Sequence, residues 1–356
     1  MSPTPEPGYF QTLEYHADNT VTIRDDLYGT HTIAESALVA LLHSQPLTRL
    51  SGVHQHGITG LLGLTPKVTR LEHSVGAFLL VRMAGASVAE QAAALLHDVS
   101  HTVLSHVIDW ALSRPGVGEE ESFHEVHKAR YVRGMTSLVE ILGRHGLGEE
   151  VLHEEKFPLV EMVAPHLCAD RLDYGLRDAV GFGKLSREDA RRVVEDLVAL
   201  PGPEAPGRML VLRDVELALG LARGYLAVDR EVWSNPRHID MYRRAGEVIG
   251  SAVRGGAIPL ERLWTSSDRE FWEELRRVTD DAGREVMRQL EEEGLQKAEE
   301  SLGLPKRTKV RTIDPDVYAT PPGETEAVCR PLSEWLPAWA AERDEYIAAR
   351  KRIIGL

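Results

Sequence analysis

His73, His97, Asp98 and Asp170 are of the residue types that bind divalent cations, and each stands in an apolar, helix-patterned stretch. Burying such groups unpaired costs roughly 2–7 kcal/mol apiece. One cation satisfies all of them, because neutral imidazole and carboxylate together suit first-row transition metals. His97 and Asp98 are adjacent, so on a regular helix their side chains diverge by about 100°. They reach one ion only at a helix end, and Val99-Ser100 is the place for that bend. Four protein ligands leave positions on the ion for water and substrate, as a catalytic centre requires. His101 and His106 follow close to one helical face, with Asp109 three residues on and His124-Glu125 beyond a loop at Gly116–Glu121.

Apolar periodicity gives the elements that must hold these groups. Thr20–Arg24 is a short extended stretch ended by a turn at Asp25–Gly29. From Ala34 apolar residues recur at helical spacing (Leu38, Leu41, Leu42, then Leu47, Leu50, Val53) until Gly57, Gly60 and Pro66 open a loop. The pattern predicts helices over 70–83, 89–97, 101–112, 123–145, 159–180, 186–199, 213–232, 236–254 and 268–301. Pro201–Gly207 is too proline-rich for a helix, and Met209–Leu212 after it reads as a short strand or a helix approach. Lys306–Pro322 sets Val310, Ile313, Val317 and Tyr318 among prolines and threonines, the composition of strands or an extended arm. An amphipathic helix over 332–354 closes the chain. The expected fold class is mostly α with a small mixed α/β C-terminal part. Its parts are a disordered lead-in over 1–19, a principal domain over 20–235 and an extension over 236–356 serving as interface or lid.

The chain has 356 residues, 43% hydrophobic and 27% charged, an ordinary globular composition long enough for one large domain or a domain with an appendage. A formal net charge of -14 argues against duplex nucleic acid, whose phosphates need clustered Lys and Arg. A small phosphorylated substrate remains compatible, since a few arginines beside a cation suffice. Cys168 and Cys329 supply neither a disulfide framework nor a Cys-rich metal site, and read as reduced thiols of a cytoplasmic protein. There is no run of about 18 apolar residues to span a membrane and no signal-peptide pattern at the start.

Three ordered motifs sharpen the picture. Arg70-Leu71-Glu72-His73-Ser74-Val75-Gly76 comes first, then His97-Asp98-Val99-Ser100-His101-Thr102-Val103-Leu104-Ser105-His106, then Asp170-Arg171-Leu172-Asp173-Tyr174-Gly175-Leu176-Arg177-Asp178. The set resembles the metal motifs of the HD-domain metal-dependent phosphohydrolases, within them the deoxynucleoside triphosphate triphosphohydrolase branch that contains the SAM-and-HD-domain proteins. The resemblance spans roughly residues 20–235. It implies the HD-domain helical fold and a metal set of His73, His97, Asp98 and Asp170, loaded with Mn, Fe, Ni, Co or Zn and with Mg as a further candidate. It implies His101, His106 and His124 at the scissile phosphate, Asp109 and Glu125 orienting an imidazole, and one imidazole as general acid. The same three histidines are candidates for a second ion. Arg70, Arg171 and Arg177 come with the motifs and would line the same cavity, where guanidinium forks suit phosphate oxygens. Tyr174 would stack on or hydrogen-bond a sugar. Arg49-Leu50-Ser51-Gly52-Val53-His54-Gln55-His56-Gly57 keeps the frame of a family stretch whose glutamine meets the sugar, so Gln55 and Asp178 are the candidates for its hydroxyl. His127, His145, His153 and His166 match no motif and read as solvated or core residues.

The chain departs from the branch at several points. His56 stands where an apolar residue is common, and His43–Ser51 lacks the acidic, amide and second basic residues of the activator-binding stretch. Tyr225 takes the place of a phosphate-contacting arginine and Trp233 that of a sugar-stacking tyrosine. Losing an arginine from a triphosphate clamp favours a less charged substrate. The resemblance implies metal-dependent hydrolysis of a nucleotide or nucleotide-like phosphate ester, triphosphohydrolase-like, by a homo-oligomer. The alternatives are a phosphomonoesterase or phosphodiesterase acting on another phosphorylated metabolite, and a non-catalytic nucleotide-binding regulatory module.

Overall fold

Val21, Ile23 and Asp25 are buried while Thr22 and Arg24 turn outward, the two-residue period of a strand. This strand, β2 (Val21–Asp25), is the middle of a three-stranded antiparallel sheet with β1 (Gln11–Tyr15) and β3 (Gly29–Ile33). The computed structural model describes residues 11–112, 122–295, 304–305 and 308–355. Residues 11–15 of the expected lead-in are thus a strand, and 1–10 lie outside the described residues.

Helices follow: α1 (Ser36–Leu42), α2 (Gln45–Thr48), α3 (Gly57–Leu61), α4 (Arg70–Met83) and α5 (Val88–Leu96). A capping box starts α4, with Thr69 accepting from the Glu72 amide while the Glu72 carboxylate accepts from the Thr69 amide. Next come α6 (Val107–Leu112), α7 (Phe123–Gly134), α8 (Thr136–Arg144), α9 (Ala169–Gly181) and α10 (Arg187–Asp196). A small hairpin, β4 (Val198–Leu200) with β5 (Met209–Val211), leads to α11 (Val215–Val228), a π-helical turn at Asp229–Trp233, and α12 (Pro236–Arg254). The chain ends with α13 (Arg262–Thr265), α14 (Asp268–Val278), α15 (Asp281–Glu293), the hairpin β6 (Asp316–Ala319) and β7 (Val328–Pro331), α16 (Leu332–Trp335) and α17 (Pro337–Ile354).

Several expected helices are shorter than their periodicity predicts. The one over 101–112 starts only at Val107, because Asp268 takes the Leu104 amide at 2.7 Å and the Leu263 carbonyl takes that of Val103 at 2.9 Å. Of 159–180 only α9 is helical; Pro165 breaks the earlier part. The 123–145 stretch divides after Gly134, 268–301 divides around Thr279–Asp280, and 332–354 divides at Leu336-Pro337. Residues 296–301 lie outside the described residues.

Helix α4 packs on both α5 and α9, at the centre of the larger hydrophobic core. A second core forms where α12 lies against α6, with Met241, Ile249, Phe271 and Met287 inside it. Residues after 236 enter both cores, since Ile313, Val317, Leu332 and Trp339 belong to the larger one. The strap over 308–319 is held alongside β5 and α11. Leu212 donates its amide to the Asp316 carbonyl (3.0 Å), and Tyr318 donates to the Leu212 carbonyl (2.8 Å). Among the described residues no helix is long and apolar enough to cross a membrane.

Candidate metal centre and active site

Three helices deliver the donors. His73 lies on the second turn of α4, His97 is the residue that ends α5, with Asp98 next to it, and Asp170 sits in the first turn of α9. The helix end at His97 resolves the adjacency problem posed by the sequence. His73 Nε2 stands 3.0 Å from Asp170 Oδ1, 3.1 Å from His97 Nε2 and 3.8 Å from Asp98 Oδ2. His97 Nε2 lies 3.7 Å from Asp170 Oδ1 and 3.9 Å from Asp98 Oδ1.

These donors fit a cation. His97 Nδ1–H donates to the Ala94 carbonyl at 2.7 Å, and His73 Nδ1–H donates to Asp173 Oδ2 at 2.7 Å. When both rings are neutral, each turns an Nε2 lone pair toward the other, an arrangement that either a cation or a proton must satisfy. Ligands about 2.1 Å from an ion at right angles stand about 3.0 Å apart, close to what is seen. The Asp173–His73 contact is the carboxylate–imidazole support usual behind metal-bound histidine. Only the Asp170 side chain is appreciably open, at 28% exposure, so solvent and substrate reach the cluster from the α9 side.

Electrostatics support the same reading. Burial would raise the Asp98 carboxyl, but Arg70, His97 and His73 hold it far below the usual range. Burial would lower the His73 ring, but its bonds to Asp170 and Asp173 and the nearby charges push it up to about 10. Without a cation, the cluster keeps a proton in its place. Burial, with the Asp170 charge beside it, pushes the Glu161 carboxyl up to about 7.

A second cluster adjoins the first through Asp98, whose carboxylate groups with His101 and His124. The His101 and His124 rings stack with centres 3.6 Å apart, and Asp98 Oδ1 lies 3.6 Å from His101 Nε2. His124 pairs with Glu125 at 2.9 Å, and His106 with Asp109 at 2.9 Å. Burial, then Arg70 and the neighbouring histidines, lowers His101 well below an ordinary imidazole, so it is neutral at pH 7. Leu104 and Ser105 take positive φ values of 55° and 48°, and this tight turn points His101 and His106 at one place (rings 5.2 Å apart).

The structure sorts the expected substrate-binding residues. Arg70 is in the site, but it donates to Asp98 Oδ2 at 2.7 Å and Ser105 Oγ at 3.0 Å, serving the metal ligand. Gln55 lies beside it, with its carbonyl 3.5 Å from Arg70 Nη2 and its side-chain oxygen buried without a partner. Tyr174 faces His73, ring centres 6.3 Å apart, and its hydroxyl meets that of Tyr225 at 2.6 Å. Asp178 is occupied: His56 Nε2 donates to one oxygen at 2.9 Å and Trp233 Nε1 to the other at 2.8 Å.

Arg171 and Arg177 are both held by other partners. Arg171 gives its guanidinium to the Met162 and His166 carbonyls and to Glu161. Arg177, with 0% side-chain exposure, joins Asp25 (2.7 Å) and Asp173 (2.9 Å). It fixes the carboxylate that orients His73, a task its motif position does not reveal. Tyr28 completes that buried network, donating to Asp173 Oδ1 at 2.6 Å. Sequence reading also missed Asp173, Glu161 and the His56–Asp178–Trp233 chain. Asp173 left a trace in its spacing of three from Asp170 and four from Arg177 on one helix, and His56, Asp178 and Trp233 stood out singly but not as a connected chain.

No protein-family profile matches the chain. It is 53% identical over 350 residues to the metal-dependent phosphohydrolase cns2 of Cordyceps militaris, covering 98% of this chain and 99% of that one. It is 31% identical over 300 residues to an uncharacterized protein, YdhJ, of Bacillus subtilis, covering 83% of this chain and 88% of that one. A solved phosphohydrolase from Bacteroides thetaiotaomicron superposes with a TM-score of 0.63 at 17% identity, over 88% of this chain and 94% of that one, a likeness of fold.

Proposed function

The chain belongs to the HD-domain metal-dependent phosphohydrolases, and from the shape of its site we propose that it hydrolyses a phosphate monoester of a nucleotide or nucleotide-like compound. The carrying observation is the pair of opposed His73 and His97 Nε2 atoms, 3.1 Å apart beside Asp170 and Asp98, with the stacked His101–His124 pair adjoining them. A divalent ion held by His73, His97, Asp98 and Asp170 supplies Lewis acidity toward a phosphoryl oxygen and acidifies water. The chain's own groups supply the rest. His106 with Asp109, and His124 with Glu125, are the imidazole–carboxylate pairs suited to hold a proton for the leaving oxygen. Neutral His101 contributes a hydrogen bond without adding charge against its stacked neighbour.

A monoester is favoured over a triphosphate because the motif arginines are already committed. Arg70 serves Asp98, Arg171 serves Glu161, Arg177 serves Asp25 and Asp173, and Tyr225 offers a neutral hydroxyl. Triphosphate release from a deoxynucleotide is the second reading, favoured by the retained Gln55 with its unpartnered side-chain oxygen. The test is a panel of dNMPs, dNTPs, NTPs, cyclic dinucleotides and guanosine tetraphosphate with manganese, scored for phosphate, pyrophosphate or triphosphate. Orthophosphate from monophosphates alone supports the monoester reading; triphosphate release selects the second. No turnover of any compound overturns both.

A further inference from the structure

Arg311 carries a charge that the reaction groups leave unexplained. It lies on the strap outside all three motifs and is half-buried. Its guanidinium carbon is 6.0 Å from the centre of the Trp233 ring, within cation–π range. Its closest carboxylate influence is longer-ranged: the Arg311 charge works against the rise that burial gives the Asp229 carboxyl. The motif arginines Arg70, Arg171 and Arg177 are each neutralised by a carboxylate, whereas Arg311 faces an aromatic wall. Its charge acts on the hydroxyls of Tyr174, Tyr225 and Tyr242, opposing the rise that burial gives each of them. A partly desolvated cation compensated only at that longer range gains when an anion comes to it.

The place of that anion follows from the rings. From His73 the wall runs to Tyr174 (6.3 Å between centres), on to Trp233 (5.3 Å) and then to Arg311 (6.0 Å). Arg311 thus stands three contacts along this wall from His73, which assigns it to the far part of a nucleotide-sized molecule rather than to the ligand cluster itself. The strap is anchored for this. Buried Asp229 accepts from the Arg311 amide, from Ser234 Oγ at 2.8 Å and from Tyr346 OH at 2.8 Å.

We propose that Arg311 is a substrate-binding residue, and that it takes a second phosphate at the end of the substrate remote from the bond cleaved. The proposal deepens the monoesterase reading and rests on it. The probes are a nucleoside 3′,5′-bisphosphate and the matching monophosphate. Both are titrated calorimetrically into manganese-loaded full-length protein carrying His101→Ala, with Arg311 intact or replaced. The expected result is tighter binding of the bisphosphate, with Arg311→Gln shrinking the affinity ratio between the two probes about tenfold. Arg311→Lys restores part of it, and thermal melts confirm that each variant is folded. An unchanged ratio, or no preference for the bisphosphate with Arg311 intact, overturns the proposal. Parallel assays without the His101 change test the reaction separately. A ratio that responds to Arg311 in a protein releasing phosphate from neither probe keeps this assignment and sinks the hydrolase reading.

Discussion

Every hydrogen on the two metal-facing imidazoles has a definite address, and that makes the centre testable atom by atom. His73 gives its Nδ1 hydrogen to Asp173, while its other nitrogen holds a proton up to about pH 10 when no cation is present. Metal uptake at pH 7 must expel that proton. Calorimetric titration of manganese in buffers of differing ionisation enthalpy should show at least one proton released per ion; zero release contradicts the assignment of His73. Asp173→Asn keeps the shape but removes the charge behind His73, and should weaken metal affinity about 10- to 100-fold. The paired change His97→Ala with Asp98→Ala removes two ligands at once. It should abolish both metal retention and phosphate release, and full turnover in that variant would leave the centre without support.

Helix α4 and helix α9 meet at Gly76, which is what lets donors on separate helices converge. A Cβ there would fall 1.9 Å from Asp173 Oδ1 and 2.6 Å from Arg177 Nη2. Gly76→Ala should therefore force the helices apart, destabilising the fold by about 1–3 kcal/mol and loosening metal binding together. A melting temperature and metal affinity both equal to wild type would show that the contact relaxes freely. This helix pair also shows what a sequence can disclose. His73, Asp170 and the capping Thr69 and Glu72 are legible because their pattern is local to one element, and the close helix approach is written as Gly76. Arg177 looked equally like a phosphate ligand, because spacing does not say which way a helix turns its face; here α9 turns it inward to Asp25 on β2. The missing turns of helix at 101–106 were hidden for a similar reason. They are undone by Asp268, which lies 164 residues from Leu104. The strap was anticipated as extended chain, but its delivery of Arg311 to Trp233 depends on how remote segments pack.

Across the whole molecule, buried histidines set opposite pH limits on stability. Burial, helped by His56 and Arg237, pushes His238 down to about 4, so it is neutral in the fold and charges on unfolding. A lowered folded-state value means the unfolded chain binds more protons below its own value of about 6.5. This contribution is complete above pH 6.5 and is lost as pH falls through 4, at about 1.4 kcal/mol per pH unit. His73 works the other way in metal-free protein. Its raised value of about 10 makes its contribution complete below pH 6.5 and loses it as pH rises toward 10. A bound ion removes that alkaline limb, since the ring then holds metal in place of a proton, and adds stability by mass action. The melting temperature of chelator-treated protein should thus fall on both sides of about pH 6.5, and the increment from manganese should grow between pH 6.5 and 9. His238→Gln should make the acid limb shallower, leaving the part that His101 and His106 contribute, and leave the alkaline one. A manganese increment that shrinks with rising pH would mean that the ion does not displace the His73 proton, and so does not sit between the ligands of α4, α5 and α9.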